Sequence, residues 1–125
     1  MIDFESGAIF KLKPIANEER LEAIGRFMID GESVFATFKS VRDQLVFTNK
    51  RIIAANVQGL TGTKIDFTSI PYSKIQTFSV ETAGTLDRDC EIQLHLSAVG
   101  RVTFRIRGNF DIVGFNRLIS GHVLQ

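Results

Sequence analysis

Along most of the chain, apolar and polar residues alternate with a period of two, the mark of half-buried strands. The pattern recurs in seven segments: Ser33 to Ser40, Arg42 to Thr48, Arg51 to Val57, Thr63 to Ile70, Lys74 to Thr82, Asp89 to Ser97 and Arg101 to Arg107. Turn residues separate them. Asn49-Lys50 suits a two-residue hairpin loop, because Asn tolerates positive φ, and Ser40-Val41 is long enough for another. Gln58-Gly59-Leu60-Thr61-Gly62 reads as a loop, Pro71 stops the fourth strand, and Ala83-Gly84-Thr85 turns the chain.

The two ends read differently. Phe4, Ala8 and Ile9 fit one short helical turn, and Lys11, Lys13 and Pro14 an extended lead-in. Asn17 offers an N-cap, with Glu18, Glu19 and Glu22 where a helix dipole favours acids. Leu21, Ile24 and Met28 recur at helical spacing, which predicts a helix at roughly 17 to 28, ended by Asp30-Gly31. At the other end, Gly108-Asn109 opens a helix whose Ile112, Phe115, Leu118, Ile119, His122 and Val123 form one apolar stripe. Seven short strands followed by an amphipathic helix make an α+β chain, mainly β, in which the helix plugs the open end of a curved antiparallel sheet.

The last two strands alternate cleanly. Ile92, Leu94 and Leu96 face one way and Glu91, Gln93 and His95 the other, and Val102, Phe104 and Ile106 oppose Arg101, Thr103, Arg105 and Arg107. A loop centred on Val99 would pair Glu91 with Arg107 and Gln93 with Arg105. The first three strands are less regular. With two-residue turns, Val34, Phe47 and Ile52 share the inner side with Ala36, Leu45 and Ala54, while Phe35, Val46 and Ile53 line up on the outer side. Burying that row is worth roughly 1.5 to 3 kcal/mol per residue. Its cover is either the chain's own N-terminal segment or a neighbouring subunit, so Phe35, Val46 and Ile53 are the candidate oligomer contact. A one-residue slip would dissolve the row.

Composition narrows the class. At 125 residues, with 44% hydrophobic and 23% charged, the chain suits one globular domain and not a disordered tract. Fifteen Lys plus Arg against 14 Asp plus Glu argues against a nucleic-acid binder. Eleven Phe and no Trp indicate a core filled by rigid apolar rings. The N-terminus, with Asp3 and Glu5, reads as neither secretory signal nor membrane anchor. The lone Cys90 cannot form an intrachain disulfide, which points to the cytoplasm.

Chemistry is sparse. His95 and His122 lie outside metal-ligand spacing with Cys90 or an acid pair, and Cys90 reads as a small buried hydrophobe. Gly59-Leu60-Thr61-Gly62-Thr63-Lys64 lacks the spacing of a phosphate loop and precedes a strand. Asp87, Asp89 and Glu91 lack the ligand count of a calcium loop. Arg101, Arg105 and Arg107 face Glu91, Gln93 and Thr103, which favours charge pairing over a nucleic-acid strip. No catalytic, metal or cofactor residue is expected.

The run Arg42-Asp43-Gln44-Leu45-Val46-Phe47-Thr48-Asn49-Lys50-Arg51-Ile52-Ile53 resembles the bacterial pleckstrin-homology (PH) family. So do Gly59 to Lys64, Ser69-Ile70-Pro71-Tyr72-Ser73-Lys74-Ile75 and Phe78-Ser79-Val80-Glu81-Thr82-Ala83-Gly84. The likeness extends from Asp30-Gly31-Glu32 to the terminal helix after Asp111-Ile112, roughly residues 28 to 123. It implies a PH-like, partly open barrel of two near-orthogonal antiparallel sheets, capped by the C-terminal helix, over residues 28–125, with residues 1–27 as a helical lead-in. It also implies a single-domain member that self-assembles into a five-fold ring and receives a protein partner where strands of adjacent subunits meet. The expected function is therefore a non-catalytic, homo-oligomeric scaffold. The alternative is a weak anionic-lipid headgroup module, for which the candidate residues are Lys39 and Arg42 around the first strand turn.

Overall fold

A computed structural model describes residues 2, 7–59, 64–82 and 88–125. Its eight strands are β1 (Ala8–Ile15), β2 (Val34–Lys39), β3 (Gln44–Thr48), β4 (Arg51–Gln58), β5 (Lys64–Pro71), β6 (Ile75–Thr82), β7 (Arg88–Leu96) and β8 (Gly100–Asn109). They form one sheet in the order β5-β4-β3-β2-β1-β8-β7-β6. All eight strands send side chains into a single core cluster, which requires the sheet to curl around it. The C-terminal helix, α2 (Ile112–Val123), closes that core with Ile112, Phe115 and Ile119. This is the expected capped, partly open barrel, with one strand more than the seven read from the sequence.

The additional strand is β1, where the sequence reading placed a helical turn and a lead-in. It pairs in parallel with β8, Lys11 opposite Arg105, and antiparallel with β2, Lys13 opposite Lys39. It therefore joins the two halves of the sheet. Phe10 and Leu12 enter the core, while Ile9, Lys11 and Lys13 face outward. No hairpin turn announces β1, because its parallel partner lies almost a full chain length away. Phe4 of that expected turn lies outside the described residues, as do Asp3, Glu5, residues 60–63 and the turn Ala83-Gly84-Thr85 with Asp87.

The helix expected over 17 to 28 is also corrected. The segment holds one 3-10 turn, Asn17–Glu19, and a four-residue helix, α1 (Glu22–Gly25). Asn17 does not cap a helix; its Oδ1 accepts a hydrogen bond from Thr37 Oγ1 on β2 at 3.0 Å. Leu21, Ile24 and Phe27 recur every third residue, and that spacing lets a loosely wound segment lie along the sheet. At the other terminus, α2 begins three residues later than Asn109, capped by Asp111, whose Oδ1 accepts from the Gly114 N–H at 3.0 Å. A Cβ on Gly114 would collide with that carboxylate.

Candidate functional site

The β3–β4 hairpin has the register the sequence indicates, with Val46 opposite Ile53 and Phe47 opposite Ile52. The β2–β3 hairpin does not. Its turn holds Ser40 to Asp43, closed by Ser40 N–H to Asp43 O and Asp43 N–H to Ser40 Oγ, each 2.9 Å. Thr37 therefore faces Val46, and a register shift between Val34 and Ala36 places a bulge at Phe35. Phe35 leaves the outer row and turns to the core, stacking on His122 (5.8 Å, 21°) and meeting Phe47 and Phe115.

Val46 and Ile53 do lie on the outer side, but the chain covers them itself. With Ala55 and Ile24 they form a second buried cluster, edged by Leu21, Val34, Ile65 and Phe67. Ile24 and Val46 are 0% exposed and Ile53 1%. The oligomer contact drawn through Phe35, Val46 and Ile53 is thus corrected. One residue points inward, and the other two lie beneath the segment that carries α1. Phe27 extends this lid over β5, its ring 4.6 Å from that of Phe67.

Polar contacts clamp the lid. Gln44 Oε1 accepts from Leu21 N–H at 2.8 Å, and Arg51 Nη2 donates to Phe27 O at 2.6 Å. Arg51 also donates to both carboxylate oxygens of Glu32, through Nη2 at 2.9 Å and Nε at 3.0 Å. Thr48 Oγ1 donates to the same carboxylate at 2.6 Å. Burial alone would raise the Glu32 pKa; the hydrogen bonds from Arg51, Thr48 and the Ile29 N–H, with the Arg51 charge, outweigh it and hold the carboxyl below its ordinary value. Beside this hub Tyr72 donates to Thr48 O at 2.6 Å, and burial and the Glu32 charge raise its pKa. The sequence reading did not single out this hub, although Glu32 and Arg51 both fall within its family-like runs.

On the other side of β2, none of the described segments packs over the outer face. β1 contributes Lys11 and Lys13, β8 contributes Arg105 and Arg107, and β2 contributes Lys39. Arg105 pairs with Glu91 at 3.0 Å in a half-exposed bridge worth about 0 to 1 kcal/mol. That pairing lies two residues from the expected Glu91–Arg107 match, because the β7–β8 loop holds residues 97–99 and centres on Ala98 (φ 66°). The even shift leaves the faces as read. Of the two candidate anion residues, Lys39 joins this cationic face, and Arg42 donates to the Gly59 carbonyl while lining an adjoining recess with Lys11 and Arg105.

The sheet ends in two open edges. Among the described residues, β5 pairs only with β4, and β6 only with β7. All of β6 except Ile75 and Phe78 is exposed. Cys90, Asp89 and His122 are accounted for by local structure. Cys90 is buried, and burial, with the Asp89 charge, pushes its thiol up to about 11, so it stays protonated near neutrality. Asp89 accepts from the Gly108 N–H at 2.7 Å, and His122 stacks between Tyr72 and Phe35. Among the described residues, no three His, Cys, Asp or Glu stand together as a metal site. No described helix is long and apolar enough to cross a membrane.

A curled sheet closed by a C-terminal helix defines a PH-like fold. The bacterial PH domain family matches residues 3–123, and the chain belongs to that family. It is 43% identical over 94 residues to the uncharacterized protein YjqA of Bacillus subtilis (strain 168), covering 75% of each chain. It is 31% identical over 86 residues to the uncharacterized protein YozO of the same strain, covering 69% of this chain and 72% of that one. The crystal structure of a DUF1696 family protein with a pleckstrin-homology domain from Shewanella loihica PV-4 superposes with a TM-score of 0.75 at 34% identity, covering 91% of this chain and 98% of that one.

Proposed function

We propose that the protein is a non-catalytic, homo-oligomeric PH-like domain, a ring-shaped scaffold in the cytoplasm that holds a protein partner. The observation that carries this reading is the pair of open edges, β5 and β6, at the two ends of one sheet. An exposed edge strand is a template for adding another strand. Joining β6 of one copy to β5 of the next is a heterologous contact, and such contacts close into rings when the rotation permits. The five-fold symmetry follows the family resemblance. The apolar outer row contributes nothing to this contact, since α1 and its flanks already bury it.

Light scattering at micromolar concentration is expected to give a mass several times 14.0 kDa, and a monomer would contradict the reading. Ser79 and Val80 are neighbours on β6, so one directs its N–H toward β7 and the other away from it. Of Ser79→Pro and Val80→Pro, the variant that removes the outward N–H is expected to fold and remain monomeric. If both variants fold and assemble like the parent, the edge is not the contact.

A further inference from the structure

Strand β1 is held on one side at a time. Residues 8–12 pair with β8 and residues 13–15 with β2, so among the described residues none of β1 is paired on both sides. Past Lys39, β2 turns away into Ser40 to Asp43, and a recess of about 710 Å³ lies between that turn and the first half of β1. Pro14 has no N–H to offer either neighbour. The register also sets like charges against each other. Lys13 sits directly opposite Lys39, and Lys11 directly opposite Arg105, an arrangement that weakens strand pairing. Glu91 answers Arg105, whereas Lys11, Lys13 and Lys39 form no ion pair among the described residues. What holds β1 is its apolar alternation: Phe10 and Leu12 are buried in the core.

We infer that β1 is a displaceable plug, and that the slot it fills between β2 and β8 receives an extended segment of a partner protein. That segment carries apolar residues at the places of Phe10 and Leu12 and acidic residues at the places of Lys11 and Lys13. It keeps the core contacts and converts both like-charge pairings into attractive ones, the larger change falling at Lys39, because Arg105 already has Glu91. In such strand exchange the main chain supplies affinity and the alternate side chains supply specificity. β1 competes from within the same chain at high effective concentration, so a partner displaces it only by matching the slot better. The two charge reversals supply that difference. The slot lies in mid-sheet, clear of β5 and β6, so the inference stands whether or not the ring forms.

The test incubates the full chain overnight with fluorescently labelled peptides of the β1 sequence, Ala8–Ile15, and reads binding by anisotropy. One peptide bears Lys11→Glu and Lys13→Glu, one is unchanged, and one has the composition of the first in scrambled order. The ordered acidic peptide is expected to bind at least about tenfold more tightly than the other two. Hydrogen exchange is expected to show the chain's own β1 amides becoming fast while those of β8 stay slow. The full chain carrying Lys11→Glu and Lys13→Glu is expected to be more stable than the parent and to refuse the peptide, since its own strand then matches the slot. Four results overturn the inference: no peptide binds, the scrambled peptide binds as tightly as the ordered one, the ordered peptide binds while the β1 amides stay protected, or the doubly substituted chain is less stable than the parent.

Discussion

The two halves of the sheet's outer face have opposite fates. Over β2 to β5 it is apolar, and the segment holding α1 lies on it, burying Val46, Ile53 and Ala55 beneath Ile24. Over β1 and β8 it is cationic, and none of the described segments is shown packed over it. The same chain end supplies both: residues 8–15 add the cationic strand and residues 17–29 then form the lid. An apolar row on a sheet's wet side therefore does not by itself announce a subunit contact. When a nearby segment of the same chain can reach it, the intramolecular cover avoids the entropy cost of association.

The comparison breaks most visibly at Val46. Val46→Asp places an unpaired charge in a fully enclosed site and is expected to cost more than about 4 kcal/mol, read as lost cooperative unfolding in urea. A folded variant with a changed oligomeric state would return the row to the intermolecular reading. Glu32→Gln removes the buried counter-charge of Arg51 and is expected to cost about 3 kcal/mol. Because the folded-state pKa of Glu32 lies below its ordinary value of 4.5, the stabilisation it gives is present above about 4.5. It is lost as pH falls through the lower, folded value, and Glu32→Gln should flatten that part of the stability–pH curve.

Ile24→Ala opens a cavity under the lid and is expected to cost about 2 to 3 kcal/mol, with proteolysis in residues 17–29 preceding global unfolding. The bare half should respond with the opposite sign. Lys13→Gln relieves the clash with Lys39 and is expected to raise stability by about 0.2 to 1 kcal/mol at low salt, an effect that added salt erases. Loss of stability there would mean that the cationic face contributes to the fold.

Legibility in the sequence followed the range of the interactions. The β3–β4 register was readable because Asn49-Lys50 fixes it within two residues. The stripe Ile112, Phe115 and Ile119 was readable because helical period and burial coincide. The β2–β3 register was not, since Ser40 and Asp43 close a longer turn with their own hydrogen bonds, and the bulge at Phe35 flips one side chain without a Gly or Pro to mark it. β1 carries an alternation in Phe10-Lys11-Leu12-Lys13, but its partners are distant in sequence and Pro14 obscured it. Lys39 was legible as an anion candidate from its turn; its companions Lys11, Lys13 and Arg107 converge on it only through pairings that no local signal encodes.

For the proposed assembly, the exposed edge strand β6 is the contact to test. Hydrogen exchange of the β6 amides that do not bond to β7, measured on the assembled protein, tests this directly. The account predicts that they exchange as slowly as those of β7 and become fast when dilution yields monomer. Fast exchange of these amides in a fully assembled sample would contradict it.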